Sequence, residues 1–188
     1  MKLREKNPAL ILVDVQKAFL NEEYWGGNRN NKNAEIICGK ILNKWRELDL
    51  PIFHIRHSST NPNSKLNKQD DGFNFNENVI PLENETIITK EVNSAFIGTD
   101  LKEQLDQQAI TTLVIVGITT NHCVSTTTRM AGNFGFETYL ISDATASFDR
   151  VGINGEKYDA EIIHLTSLAN LNEEFATVID YEKLIYKI

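Results

Sequence analysis

Two stretches of this chain, Ala9-Leu10-Ile11-Leu12-Val13 and Leu113-Val114-Ile115-Val116, are apolar at every position. A strand sends successive side chains to opposite faces, so an unbroken apolar run must be covered on both. The spacing predicts a first strand over 8–15 and a fourth over 113–117, with further short apolar runs at 52–55, 86–89, 137–142 and 176–179. Between them lie segments of helical period. Residues 33–48 carry Ile36, Ile37, Ile41, Leu42, Trp45 and Leu48, and 99–109 carry Leu101, Leu105 and Ala109. A further helix is expected over 157–170. Strands alternating with helices imply right-handed βαβ units, hence an α/β fold with a parallel sheet covered on both sides.

With 188 residues the chain reads as a single domain, 1–188. The 58–85 stretch interrupts the alternation: it is rich in Asn, Ser, Asp and Pro, and a loop this long is functional or mobile. A net charge of -7 argues against a nucleic-acid surface. The N-terminal apolar run stops at Asp14 without a small-residue cleavage site, and no stretch approaches the length of a membrane span. Two cysteines in such a chain read as reduced thiols, so the expected setting is cytoplasmic, with no membrane partner.

In an open α/β sheet, ligands bind beyond the carboxyl ends of the strands. Three chemically distinctive residues fall there: Asp14 in strand one, Lys90 just after strand three and Cys123 after strand four. Cys123 lies where a strand hands over to an expected helix. Free N–H groups and the positive dipole end there favour a thiolate and could stabilise an oxyanion. A buried structural thiol is the alternative. Asp14 interrupts an apolar run, where a carboxylate needs a partner, and Lys90 could supply it. Read separately, Asp14 is a strand-end residue bonding a loop amide and Lys90 a solvated lysine. Together they offer a nucleophile, a proton acceptor and a cation.

The histidines add less. His122 adjoins Cys123 directly and is poorly placed for a dyad, though it could line a pocket. His54 and His57 are separated by an odd interval, so on a strand they face opposite ways and make a poor metal pair. His164, in an expected helix, reads as structural, and Cys38 as core. No Gly-x-Gly-x-x-Gly run follows a strand, so a dinucleotide cofactor has no support.

The chain resembles the isochorismatase-like cysteine hydrolases over nearly its whole length. The matching stretches are Leu10-Ile11-Leu12-Val13-Asp14-Val15-Gln16 with Phe19, and Thr89-Lys90 followed by Val92 to Leu101. They continue with Gly117-Ile118-Thr119-Thr120-Asn121-His122-Cys123-Val124, then Arg129 and Ala131, and Asp143-Ala144. The resemblance implies a Rossmann-like three-layer sandwich with a six-stranded parallel sheet, assembled as a homodimer or higher homo-oligomer. It implies Cys123 as nucleophile, Asp14 as general base and Lys90 orienting Asp14. It also implies a cis peptide at Ile118-Thr119, with the amides of Thr119 and Cys123 forming an oxyanion hole.

Two departures narrow the activity. Nicotinamidases of this group carry a metal-binding Asp-x-His after strand two, where this chain has His54-Ile55-Arg56-His57-Ser58-Ser59. No metal and no other cofactor is therefore expected. True isochorismatases lack the nucleophilic cysteine. The expected activity is a metal-independent cysteine amidohydrolase acting on a small amide, ureido or lactam carbonyl through a thioester. The alternatives are a vinyl-ether hydrolase, a nicotinamidase-like amidase, and a redox-responsive small-molecule binding protein. Phe19, Trp25, Phe96 and His122 are the expected pocket residues, with Tyr24 and the 58–85 loop shaping it.

Overall fold

The structure is a computed structural model and describes residues 2–188. Six parallel strands form its sheet: β1 (Ala9–Val13), β2 (Ile52–His57), β3 (Thr86–Lys90), β4 (Thr112–Ile118), β5 (Glu137–Ala146) and, last in sequence, β8 (Thr177–Ile179). Their spatial order is β3-β2-β1-β4-β5-β8. An antiparallel hairpin, β6 (Arg150–Val151) and β7 (Lys157–Tyr158), projects between β5 and the helix that follows. The helices are α1 (Glu22–Trp25), α2 (Ala34–Glu47), α3 (Leu101–Gln107), α4 (Ser125–Asn133), α5 (Ala160–Leu171) and α6 (Tyr181–Lys187).

The two-sided apolar runs are used as their pattern requires. Ala9, Ile11 and Val13 of β1 pack with Leu113 and Ile115 of β4 beneath Leu101, Leu105, Ala131 and Leu168 of α3, α4 and α5. Leu10 and Leu12, with Val114 and Val116, meet Cys38, Ile41, Leu42 and Trp45 of α2 and Leu184 of α6 on the other face. A Rossmann-like three-layer sandwich results. Ile36 is the exception on α2: it falls in the helical period but is exposed, because the buried stripe runs through Ala34, Cys38, Ile41, Leu42 and Trp45.

The chain reverses its direction of growth across the sheet between β1 and β4. That is the switch point where a crevice opens outside the carboxyl ends of the strands. Gly117 lets the two strands close there. It has φ 130°, and a Cβ would overlap the carbonyl of Val13. The ladder shifts register between Ile115 and Gly117, and the next peptide, Ile118-Thr119, is cis.

The β2–β3 crossover is the 58–85 segment, with two 3₁₀ turns, Asp71–Phe73 and Glu77–Val79, in place of a helix. Its polar composition builds the chain path. Side-chain oxygens of Asn61, Ser64, Asn67, Asp70 and Asn76 each accept from the amide two residues on, at 2.8–3.1 Å. Such local bonds replace a helix ladder with a series of turns. The segment is thus an ordered wall, anchored at its far end by Glu85, which takes Arg46 Nε at 2.6 Å and faces His54 Nε2 at 2.8 Å.

These anchors fix how the fold responds to acid. Burial pushes the His54 imidazole below its ordinary range despite the nearby Glu85, and burial does the same to His164. Burial alone would raise Glu85, but bonds from Arg46, the Leu82 amide and His54 outweigh it and bring the carboxyl down to about 2. For the histidines, the unfolded chain takes up protons below about pH 6.5 that the native state refuses. Stability should therefore be full above that pH and fall as pH drops through it. Glu85 adds a second loss between about 4.5 and 2, as its native partners are lost. Urea midpoints measured from pH 8 to pH 5 should decline below pH 6.5. A flat profile would contradict this linkage.

Candidate active site

Four strands around the switch point, three on one side and β4 on the other, each deliver a candidate functional side chain at the carboxyl end. Asp14 follows β1, His57 closes β2, Lys90 closes β3, and Cys123 lies beyond β4. Asp14 has φ 53°, a left-handed conformation that Asp tolerates better than most residues. Its amide still bonds the carbonyl of Ile55 at 2.9 Å, extending the ladder by one residue, while its carbonyl accepts from Gln16 at 2.8 Å. This turn takes the carboxylate out of the sheet.

Lys90 Nζ lies 2.7 Å from Asp14 Oδ2, and both side chains are fully buried. A buried ion pair is tolerated when each charge has its partner. The other oxygen, Asp14 Oδ1, is buried with no hydrogen-bond partner among the described residues. The Cys123 sulfur, an Asp14 carboxylate oxygen and a His57 ring nitrogen all lie within 4.8 Å of one another. A carboxylate oxygen of Asp14 therefore lies near the one thiol in the site.

Cys123 does not begin an α-helix. It lies in a π-helical turn, Thr120–Val124, and α4 starts at Ser125. The Thr119 carbonyl accepts from the amides of His122 and Val124 at 3.2 and 3.3 Å, closing the turn. The expectation of a helix-stabilised thiolate is corrected accordingly. Burial pushes the Cys123 thiol well above its ordinary range, the Asp14 charge pushes the same way, and Lys90 opposes both. These directions favour the protonated thiol over the thiolate.

His164 supports this turn from α5: its Nδ1 lies 2.9 Å from Thr120 Oγ1, and its Nε2 lies 3.3 Å from Asn31 Nδ2. The structural reading of this histidine is the one the geometry fits.

A cavity of about 320 Å³ opens over the sulfur. Phe19, Trp25 and Leu66 form apolar walls, and Ser59, Ser64, Asn93, His57, Thr119 and His122 supply polar ones. Phe19 and Trp25 pack on each other with centroids 4.8 Å apart, and Tyr24 meets Trp25 edge-on from outside. Phe96 is not part of this wall. It is buried against Phe134 and Phe136 in the core layer under α4, because the chain after Lys90 turns inward at Ala95. A larger groove, about 540 Å³ between residues 2–6 and α6, contains none of these reactive groups, so its volume does not make it the site.

Sequence reasoning missed His57, Asn93, Ser59, Ser64 and Leu66. For His57 the signal was present: if His54 faces the core, the residue three further along the strand faces away from it. His54 indeed bonds Glu85 on the α2 side, while His57 Nδ1 lies 3.1 Å from Lys90 Nζ. That contact also bears on metal binding. Asp14, His57 and Cys123 are close enough to share an ion, but the Lys90 ammonium already stands against both Asp14 and His57. A divalent cation would have to lie beside a buried positive charge, so these residues do not fit a metal site.

No helix among the described residues is long and apolar enough to cross a membrane. The isochorismatase domain matches residues 8–183. An isochorismatase family protein of Bacillus subtilis, YrdC, is 53% identical over 181 residues, covering 96% of each chain. Nicotinamidase 3 of Arabidopsis thaliana is 26% identical over 195 residues, covering 95% of this chain and 87% of its own. The crystal structure of an isochorismatase-family hydrolase from Chromobacterium violaceum superposes with a TM-score of 0.94 at 37% identity, over 100% of this chain and 96% of its own. Fold, motif order and extent of match agree: the chain belongs to the isochorismatase family of hydrolases.

Proposed function

We propose that this protein is a metal-independent cysteine amidohydrolase for small uncharged carbonyl compounds. The observation that carries the reading is the buried Asp14–Lys90 pair, with an Asp14 carboxylate oxygen within 4.8 Å of the Cys123 sulfur at the floor of the cavity. Asp14 takes the Cys123 proton as the sulfur attacks the carbonyl carbon. The oxyanion of the tetrahedral intermediate is held by the amides of Thr119 and Cys123. Asp14 then returns the proton to the departing nitrogen, leaving a thioester and free ammonia or amine. A water that gives its proton to Asp14 attacks the thioester, and the acid leaves with the thiol restored. Lys90 orients the Asp14 carboxylate and offsets the negative charge that develops.

Cavity chemistry supports an uncharged substrate. About 320 Å³ is at the small end of ligand pockets, and no Lys or Arg is among the described residues lining it. Burial keeps the His57 and His122 imidazoles below their ordinary range, so neither supplies a cation. A dicarboxylate such as isochorismate would enter without a counter-charge, and its vinyl ether offers no carbon suited to a sulfur nucleophile. The nicotinamidase relative acts, by its name, on an amide, which agrees with the reaction class proposed here.

The test is an ammonia-release screen over small amides, ureas and lactams, with intact mass recorded on enzyme quenched during turnover. An acyl adduct on Cys123 is expected for the best substrate. Isochorismate turned over orders of magnitude faster than any of them would overturn the proposal, as would peroxide-driven gain of oxygen on Cys123 without any turnover. Dialysis against a strong chelator should leave the rate unchanged. Activity lost on chelation and restored by zinc, iron or manganese would refute metal independence.

A further inference from the structure

The turn that carries Cys123 is closed weakly from within. Its bonds from the His122 and Val124 amides to the Thr119 carbonyl are 3.2 and 3.3 Å long, and a π-helical turn is a rare, isolated form. Its geometry is set by what grips it from outside. Two side chains just ahead of the cysteine are gripped. Asn121 Oδ1 accepts from Ser147 Oγ at 3.2 Å, and the buried Thr120 Oγ1 lies 2.9 Å from His164 Nδ1.

The far side of the ring fixes which nitrogen carries the proton. His164 Nε2 faces Asn31 Nδ2 at 3.3 Å, and that Asn31 nitrogen donates to the carbonyls of Ser142 and Thr145 at 3.0 and 2.8 Å. Both amide hydrogens are used on those carbonyls, and an amide nitrogen accepts no hydrogen bond. A protonated Nε2 would set N–H against N–H, so Nε2 is bare and the ring proton is on Nδ1. Burial lowers the imidazole below its ordinary range against the pull of Glu161, which agrees with a neutral ring. The Nδ1–H therefore donates to Thr120 Oγ1. One buried, directional bond joins α5 to the turn that holds the sulfur, and Asn31, tied to the end of β5, keeps the ring in place for it. Losing that bond would free the turn to shift, and a displacement of about 1 Å can cost about 10²-fold in rate.

We propose that His164 is a positioning residue, whose Nδ1–H bond to Thr120 holds the Cys123 sulfur within reach of the Asp14 carboxylate. It does not line the cavity, so it acts on the rate and not on substrate binding. The inference rests on the reading of Cys123 as nucleophile and Asp14 as its base.

His164→Asn and His164→Gln separate the two ends of the ring. Asn offers an N–H at the δ position, toward Thr120, whereas Gln reaches the ε position, toward Asn31. Both leave a polar side chain in the same buried place, so a loss of stability alone would move them together. For the amide turned over best in the ammonia-release screen, His164→Gln should lower kcat by about 10- to 100-fold with KM unchanged. His164→Asn should keep most of the rate. Iodoacetamide reads the same effect without turnover: alkylation of Cys123, located by peptide mass, should slow in parallel in His164→Gln. A fold merely loosened would expose the thiol and speed alkylation. Thr120→Val removes the acceptor from the other side and should match His164→Gln, with the double variant little worse than either. In the wild type with 15N-labelled histidine, His164 should show a protonated Nδ1 and a bare Nε2. An Nε2–H tautomer, equal losses in the Asn and Gln variants, or alkylation unchanged or faster in both His164→Gln and Thr120→Val would overturn the assignment. If no amide, urea or lactam is hydrolysed yet alkylation slows as expected, the amidohydrolase reading fails and the positioning role stands. Hydrolysis by His164→Gln at the wild-type kcat defeats the positioning role alone.

Discussion

Cys123→Ala is expected to lower turnover on the order of 10⁴-fold while moving the melting temperature by only a few degrees. The rate loss follows from the geometry. Asp14 can take a proton only from a group beside it, and the sulfur is the reactive atom within 4.8 Å. Alanine leaves the base with nothing to activate except water, without a covalent intermediate to divide the reaction. The small thermal effect follows from location. Cys123 keeps 9% of its surface exposed at the cavity floor, and the turn around it is held by the Thr119 carbonyl and His164. Steady-state rates and a melting curve on the same preparation check both halves. Rates near wild type would end the acyl-enzyme mechanism and favour the vinyl-ether alternative.

The second large effect concerns Lys90, and it combines activity with stability. Lys90→Ala leaves the fully buried Asp14 carboxylate without its cation, a change that costs about 3–5 kcal/mol where such pairs have been broken. Asp14→Asn removes the base but keeps a side chain that tolerates φ 53°, and should slow turnover by about 10²–10⁴-fold. The double variant Asp14→Asn with Lys90→Met removes both charges together. It should recover much of the stability lost in Lys90→Ala, because no buried charge is left alone, yet remain inactive. Denaturant midpoints for the three variants, set beside their rates, decide the matter. A Lys90→Ala protein with wild-type rate and stability would return Lys90 to the role of an ordinary strand-end residue.

The sheet was readable because its strands are buried on both faces. An unbroken run such as 9–13 has few other uses in a soluble chain, and the helical period of 33–48 fixes what covers it. Asp14 and Lys90 stood out because charged side chains at such strand ends are costly unless paired. The 58–85 wall was harder to read, since turns built by Asn, Ser and Asp have no period to detect. Phe96 was misjudged for a related reason: nothing local reveals that the chain turns inward after Lys90. The protonation state of Cys123 was also beyond local sequence. The dipole at a helix start can be anticipated from a strand-to-helix junction, whereas burial by distant elements, which raises the Cys123 thiol, cannot.

β3 is a rim strand, bonded on one side only, to β2, and Ile87 on it is 46% exposed. Cys123 and Asp14 hang from the two central strands, but the Lys90 ammonium that pairs with Asp14 is delivered from this rim. Peeling β3 away withdraws Lys90 while β1 and β4 stay paired, and such partial opening needs less free energy than melting the whole sheet. Under the proposed mechanism, activity under mild stress should be lost through fraying at one margin of the molecule before the sheet as a whole melts.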